Sequence, residues 1–331
     1  MLRVGLVGSG LMGATHADAW RRTSAHLAGV YSIDTDGAKR LANQHQVGVY
    51  ESLPALLNDV DVVDVCTPTH LHHDIALQAA AAGKHVVCEK PLARTMEQAR
   101  AMIAACEEAN VQLLVAHVVR FFPEYALAKA VVERGDIGQV AVIRLTRCSS
   151  LPTWATDNWL SDPVRSGGML LDLMIHDFDY ARWVAGDVES VYVRHVRGHN
   201  PQKVEDYGIA ILRHTSGTIS NIEGGWAYPK GMFRTALEIA GDAGLIEHPA
   251  GSSVPLAIYR KDEGDAHVAP MPSSPLAEDP YTTEIKHFYD VIENGTVPRV
   301  TAYDGLAALR IALAAVKSAA SGRSVNVAEV G

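Results

Sequence analysis

The sequence predicts an α/β protein in two parts, a doubly wound parallel sheet followed by an α+β domain with an open, mostly antiparallel sheet. Through residue 120, short apolar runs alternate with amphipathic stretches of helical period, as when strands buried on both faces are joined by crossover helices. Beyond residue 120, strand-like runs follow one another without helices between them. Where the first apolar run ends, Gly8-Ser9-Gly10-Leu11-Met12-Gly13 forms a G-x-G-x-x-G between strand and helix.

In order, Leu2–Val7, Leu27–Tyr31, Val62–Cys66, His85–Cys88 and Gln112–Ala116 read as buried parallel strands because apolar residues run through them almost continuously. Leu11–Arg22, Thr35–His45, Ser52–Asn58, Leu71–Ala82 and Met96–Ala109 carry helical periodicity and end near Gly, Asn or His. The spacing then predicts a helix over Pro123–Arg134 and strands over Val140–Cys148, Val188–Val196, Tyr207–Leu212, Thr218–Trp226 and Arg234–Ala240. The stretch 251–280, rich in Pro, Ser, Asp and Gly, reads as irregular surface chain, and Tyr281–Glu293 and Asp304–Ala320 read as closing helices. No internal repeat is present, and 331 residues suit two domains, placed at 1–120 and 121–331.

Composition narrows the function. The chain is 48% hydrophobic and 20% charged, as in globular proteins, and its formal charge of -9 lacks the clustered Lys and Arg of a nucleic-acid footprint. The four cysteines, Cys66, Cys88, Cys106 and Cys148, include no C-x-x-C pair and no disulfide framework. The amino terminus enters a strand at once, without the regions of a signal peptide, and no apolar run is long enough to span a bilayer. A cytoplasmic protein with no nucleic-acid or membrane partner is expected.

Three clusters carry chemistry. In the glycine motif, Gly8, Gly10 and Gly13, with Leu11 and Met12 between them, suit a tight turn, close approach of a pyrophosphate and close helix–strand packing. At the end of the second strand, where an acidic residue commonly holds a ribose, the chain offers Ser32-Ile33-Asp34. The second cluster is Glu89-Lys90-Pro91, which delivers a lysine at the end of a buried strand, either to act on something bound there or merely to snorkel past the strand end. The third lies in Gly167-Gly168-Met169-Leu170-Leu171-Asp172-Leu173-Met174-Ile175-His176-Asp177. On one continuous helix, Asp172 and His176 share a face, as a surface pair or as a general base with its orienting carboxylate, and their apolar flanks favour the second. His70-Leu71-His72-His73 looks like a metal cluster but has no companion carboxylate at ligand spacing, and no metal is expected.

With Gly8-x-Gly10-x-x-Gly13, Thr67-Pro68-x-x-x-His72, Glu89-Lys90-Pro91 and Gly167-Gly168-x-x-x-Asp172-x-x-x-His176 in this order, the chain resembles the Gfo/Idh/MocA oxidoreductases, especially their inositol dehydrogenase-like members. The resemblance implies an amino-terminal Rossmann domain that binds NAD or NADP, and a carboxyl-terminal domain whose open sheet forms a homodimer or homotetramer interface. It implies that Lys90, Asp172 and His176 are catalytic and touch substrate, and that Thr67, Pro68, His72, Glu89 and Lys90 lie against the cofactor. The Lys-Pro bond is often cis in relatives, which would aim Lys90 into the cleft. His117, at the end of the last parallel strand, is placed to touch the nicotinamide or to be satisfied by backbone.

The expected reaction is hydride transfer between nicotinamide and a carbon bearing a secondary hydroxyl, on a cyclic polyol or sugar derivative. Arg120, Trp154, Asn158 and Trp159 are candidate substrate contacts, with packing at the domain junction equally open for the tryptophans. Ser32 suits a 2'-phosphate while Asp34, Lys39 and Arg40 pull either way, so NAD and NADP both stand. Two rival functions are a redox-neutral, NAD-dependent glycoside-cleaving enzyme and a non-catalytic nucleotide-binding regulator.

Overall fold

In the computed structural model, which describes residues 1–152, 156–197, 206–248 and 278–331, strand β1 (Arg3–Val7) is buried from Val4 onward. A strand that exposes neither face lies inside a sheet covered on both sides. It is followed by α1 (Leu11–Trp20), β2 (His26–Tyr31), α2 (Thr35–His45), β3 (Gly48–Val49), α3 (Leu53–Leu57), β4 (Val62–Val65), α4 (His72–Ala81), β5 (His85–Glu89), α5 (Met96–Glu108) and β6 (Leu113–Ala116). Side chains of Asp34, Ser52 and Thr95 cap α2, α3 and α5 by accepting from the backbone N–H three residues on. All six strands are parallel, in the order β3-β2-β1-β4-β5-β6. The order reverses between β1 and β4, so their carboxyl ends open onto the place where such sheets bind ligands. Only β3, two exposed residues, lacked a sequence signal, because so short a run has no period to read.

The second part contains α6 (Pro123–Glu133), β7 (Val140–Ser149), α7 (Pro163–Ser166), α8 (Gly168–Asp172), α9 (Ile175–Ala185), β8 (Val188–Arg197), β9 (Asp206–His214), β10 (Ile219–Gly225), β11 (Phe233–Gly241) and β12 (Leu245–His248). The chain closes with α10 (Pro280–Asn294), α11 (Ala302–Ser321) and β13 (Val325–Asn326). The seven-stranded sheet runs β12-β11-β7-β10-β9-β8-β13, with β10 and β7 parallel and every other pair antiparallel. In β9 the period-2 pattern is plain: Ala210 and Leu212 are buried, while Ile209 and Ile211 are 44% and 45% exposed. Helices α8 and α9 cover one face, and the isoleucines stand on the other.

The chain divides into two compact units, but not simply at 120/121. The first comprises Met1–Phe121 and, among the described residues, 278–306; the second takes the remainder. The closing segment, expected within 121–331, returns to the first unit because α10 carries a buried stripe of Ile285, Phe288 and Val291 and packs on α1. The 251–277 part of the expected irregular stretch lies outside the described residues.

Arg120 anchors this return. Its side chain is 1% exposed; Nη1 donates to the Arg299 carbonyl at 2.9 Å and lies 3.4 Å from the Asp304 carboxylate. Arg299 reciprocates onto the Arg120 carbonyl, and its guanidinium lies 4.7 Å from the centre of the Phe121 ring. These contacts give Arg120 a structural role within its own unit, in place of or beside the substrate contact expected of it. Arg120→Met strands buried acceptors and is expected to cost about 1–3 kcal/mol in urea unfolding. Unchanged stability with weakened substrate binding would restore the original expectation.

Candidate active site

The glycine turn is shaped by close backbone approach. Gly8 has φ +111°, and a Cβ there would lie 2.4 Å from the Cys66 carbonyl oxygen, so the exits of β1 and β4 press together. A Cβ at Gly13 would lie 2.3 Å from the Gly8 oxygen, which seats α1 directly on the turn. Gly10 differs: a Cβ there meets nothing within 4 Å. Helix α1 begins beside that open space with no side-chain cap and no acidic residue in its first turn, leaving its first N–H groups, from Leu11 onward, to an outside acceptor. An uncapped helix start with room above a glycine fits the pyrophosphate of a dinucleotide.

At the end of β2, the Ser9 hydroxyl donates to Ser32 at 3.0 Å, and the Asp34 amide donates to Ser32 Oγ at 3.2 Å. Asp34 is half committed: Oδ1 accepts the Gly37 N–H at 2.9 Å, and Oδ2 lies 3.8 Å from Arg40. Its carboxylate serves α2 first.

Beyond β4, His72 is 1% exposed, with Nε2 2.9 Å from the Thr67 carbonyl and Nδ1 2.9 Å from the Pro91 carbonyl. Burial lowers its pKa, outweighing those two carbonyls. The ring thus bridges the Thr67-Pro68 turn and the chain after Lys90, a structural role beside the cofactor contact expected of it. The Lys90–Pro91 peptide is cis. His117 is 1% exposed at the end of β6, and its carbonyl accepts from Arg120.

Beneath Lys90 lies a buried charge cluster that the sequence analysis missed. His16 Nδ1 lies 2.9 and 3.1 Å from the two Asp64 oxygens and 3.3 Å from Cys66 Sγ. Trp20 Nε1 donates to Asp64 at 2.7 Å. His16 Nε2 lies 3.3 Å from Glu89 Oε1, an ion-pair contact longer than a good hydrogen bond, and Glu89 Oε2 accepts the Lys90 N–H at 2.9 Å. Burial opposes the charge on His16, but Asp64 and Cys66 outweigh it and hold its pKa well above the ordinary value. Burial likewise pushes Glu89 up, and pairing with His16 outweighs that and holds it low. His16, Asp64 and Cys66 bring donor atoms within 4.8 Å of one another, and hydrogen bonds already join them.

In the second unit, Asp172 and His176 do not sit on one continuous helix as expected. Helix α8 ends at Asp172 and α9 begins at Ile175, with Leu173 and Met174 between them. Both residues at the break donate to the Met169 carbonyl, at 2.9 and 3.1 Å. Met174 is wedged into the sheet: a Cβ on Gly224 would lie 2.4 Å from its Cγ, and one on Gly208 would lie 3.6 Å from its Sδ. Next to His176, Asp177 is fully buried and receives both Arg147 Nε and Nη2, at 2.7 and 3.0 Å, fixing the first turn of α9 on β7. Asn158 and Trp159 lie in the short helical turn Thr156–Ser161, where Asp157 and Asn158 have positive φ. Trp154 lies outside the described residues.

Sequence comparison decides the family. Residues 2–117 match the family described as "Oxidoreductase family, NAD-binding Rossmann fold", and residues 129–327 match its "C-terminal alpha/beta domain". The chain belongs to the Gfo/Idh/MocA oxidoreductases. It is 32% identical to a 1,5-anhydro-D-fructose reductase of Ensifer adhaerens and 30% identical to an inositol 2-dehydrogenase of Rhizobium meliloti, in each case over 99% of both chains. Among solved structures, it is similar to a levoglucosan dehydrogenase in complex with NADH and levoglucosan, with TM-score 0.83 and 26% identity over 98% of this chain and 99% of that one.

For this family member, Gly8, Gly10, Gly13, Ser32, Thr67, Glu89, Lys90 and His117 all fall at the carboxyl ends of the parallel strands, while Asp172 and His176 flank one helix break in the second unit. Asp64 left a sequence signal, a lone carboxylate inside the run Val62-Val63-Asp64-Val65. Arg147→Met leaves Asp177 charged and buried, and is expected to cost about 3–5 kcal/mol in urea unfolding. His16 carries a pKa above its ordinary 6.5, so its stabilisation is complete below that value and disappears as pH rises through the raised one. The stability gap between wild type and His16→Gln should therefore shrink toward alkaline pH; a gap independent of pH would contradict a charged His16.

Proposed function

We propose that this oxidoreductase is an NAD(P)-dependent dehydrogenase that exchanges a hydride with the carbon bearing a secondary hydroxyl of a cyclic polyol or sugar derivative. The observation that carries the reading is the cradle at Gly10, open above an uncapped α1 in a domain of the NAD-binding family. The names of the similar reductase, inositol dehydrogenase and levoglucosan dehydrogenase support the substrate class. Gly8, Gly10, Leu11, Met12 and Gly13 hold the pyrophosphate, with Ser32 and Asp34 toward the adenosine ribose and Thr67, Pro68, Glu89 and His117 toward the nicotinamide. NAD and NADP both remain within this reading, because Asp34 spends its carboxylate on capping α2.

The bound nicotinamide supplies the hydride acceptor or donor at C4. His176 takes the proton of the substrate hydroxyl, Asp172 orients the ring and stabilises its charged form, and Lys90 donates a hydrogen bond to the same oxygen. Asn158 and Trp159, with Trp154, contribute to substrate recognition by hydrogen bonding and ring stacking. The open face of the second sheet, with Ile209, Ile211 and Ile219 exposed, forms a homodimer or homotetramer interface. Among the described residues no helix is long and apolar enough to cross a membrane, and a cytoplasmic location is part of this proposal.

The test is nicotinamide absorbance near 340 nm with NAD or NADP against cyclitols, aldoses, anhydrosugars and their ketones, in both directions. One ring compound should give a cofactor-dependent signal, and His176→Ala should reduce its turnover about a hundred- to ten-thousandfold while nucleotide affinity holds. Equal loss of nucleotide affinity and turnover would refute the role of His176. Silence across the panel with nucleotide bound would move the assignment to redox-neutral chemistry.

A further inference from the structure

The charge cluster under β5 ends on the Lys90 amide. Its order is Trp20, Asp64, His16, Glu89 and then the Lys90 amide, drawn from α1, β4 and β5. His16 is completely buried, and each of its nitrogens faces a carboxylate that only accepts. Nδ1 serves Asp64, while Nε2 makes no hydrogen bond and is held to Glu89 by charge alone, which requires a doubly protonated ring. Packing alone has no use for two carboxylates and a histidine in the middle of valine strands, where an apolar set of similar volume is as stable or more so.

We propose that His16 is a positioning residue: it ties Glu89 to Asp64, and Glu89 thereby holds the Lys90 amide so that Lys90 meets its substrate in one conformation. The inference rests on Lys90 being catalytic. An uncharged residue at position 16 leaves Asp64 and Glu89 as two buried carboxylates without a cation between them, and Glu89 then takes up a proton, so that its contact with the Lys90 amide loses its charge assistance and its fixed direction. The raised pKa of His16 and the depressed pKa of Glu89 agree with this geometry.

The test is a double-mutant cycle on the full chain, read with the nucleotide and the ring compound that respond in the absorbance panel. His16→Gln should lower kcat about ten- to hundredfold, with the NADH dissociation constant, measured by fluorescence, changed by less than about twofold. In the Lys90→Met background the same substitution should cost nothing further, because the effect passes through Lys90. Equal losses in both backgrounds would overturn the positioning role while leaving Lys90 as the catalytic lysine. Normal turnover by Lys90→Met would overturn the role of Lys90 and the positioning role with it. A measurement on the unmutated protein stands beside these should His16→Gln fail to fold or the panel stay silent: nitrogen NMR of labelled histidine at about pH 8, where an ordinary ring is neutral. Both His16 nitrogens should carry protons there, and a singly protonated ring would overturn the proposal.

Discussion

One buried carboxylate organises the carboxyl ends of β4 and β5. Asp64 lies inside β4 with no exposure, and an ion there persists only if donors surround it. Helix α1 supplies two, Trp20 and His16, four residues apart on one face. Charging His16 calls in turn for a second carboxylate, Glu89 on the neighbouring strand, and the free oxygen of Glu89 is then available to the Lys90 amide. The glycine turn works from the other end of the same helix, where Gly8 and Gly13 bring backbone against backbone and leave the start of α1 uncapped. Helix α1 therefore carries two features of the site, an uncapped first turn beside Gly10 and, further along, the two side chains that meet Asp64.

The second unit solves a different problem, how to hold a histidine and an aspartate steady on a short helical segment. Here the devices are steric and ionic. Gly224 gives up a side chain so that Met174 can seat the break between α8 and α9, and Gly208 makes room for Met169 and Leu170 of α8. The buried Arg147–Asp177 pair then locks the following turn on the sheet. Such a pair adds little net stability over an apolar set, so its value lies in fixing direction.

Much of this was legible in the chain itself. Continuous apolar runs marked the parallel strands because those strands are buried on both faces, and the glycine motif marked its turn because nothing else fits at Gly8 and Gly13. The candidate catalytic residues were legible as chemistry out of place, a lysine after a buried strand and a polar pair among leucines and methionines. What sequence spacing could not give was the partner of each polar group. His72 looked like a cofactor contact, and its two nitrogens each lie 2.9 Å from a backbone carbonyl, a setting that comes together only in three dimensions. Arg120 looked like a substrate contact, and it holds a segment 179 positions away. The break after Asp172 was hidden because Leu173 and Met174 are good helix formers, and the interruption comes from packing on two glycines in distant strands.

Deuterium transfer separates hydride exchange between nicotinamide and a ring carbon from redox-neutral chemistry. The protein would be incubated with NADH or NADPH dideuterated at C4 and the keto form of a cyclitol or sugar, and the products weighed by mass spectrometry. The account predicts one deuterium on the carbon that becomes the secondary alcohol, matched mole for mole by oxidised nucleotide. Reduced nucleotide that keeps both deuteriums, or exchanges them with no net oxidation, would contradict it.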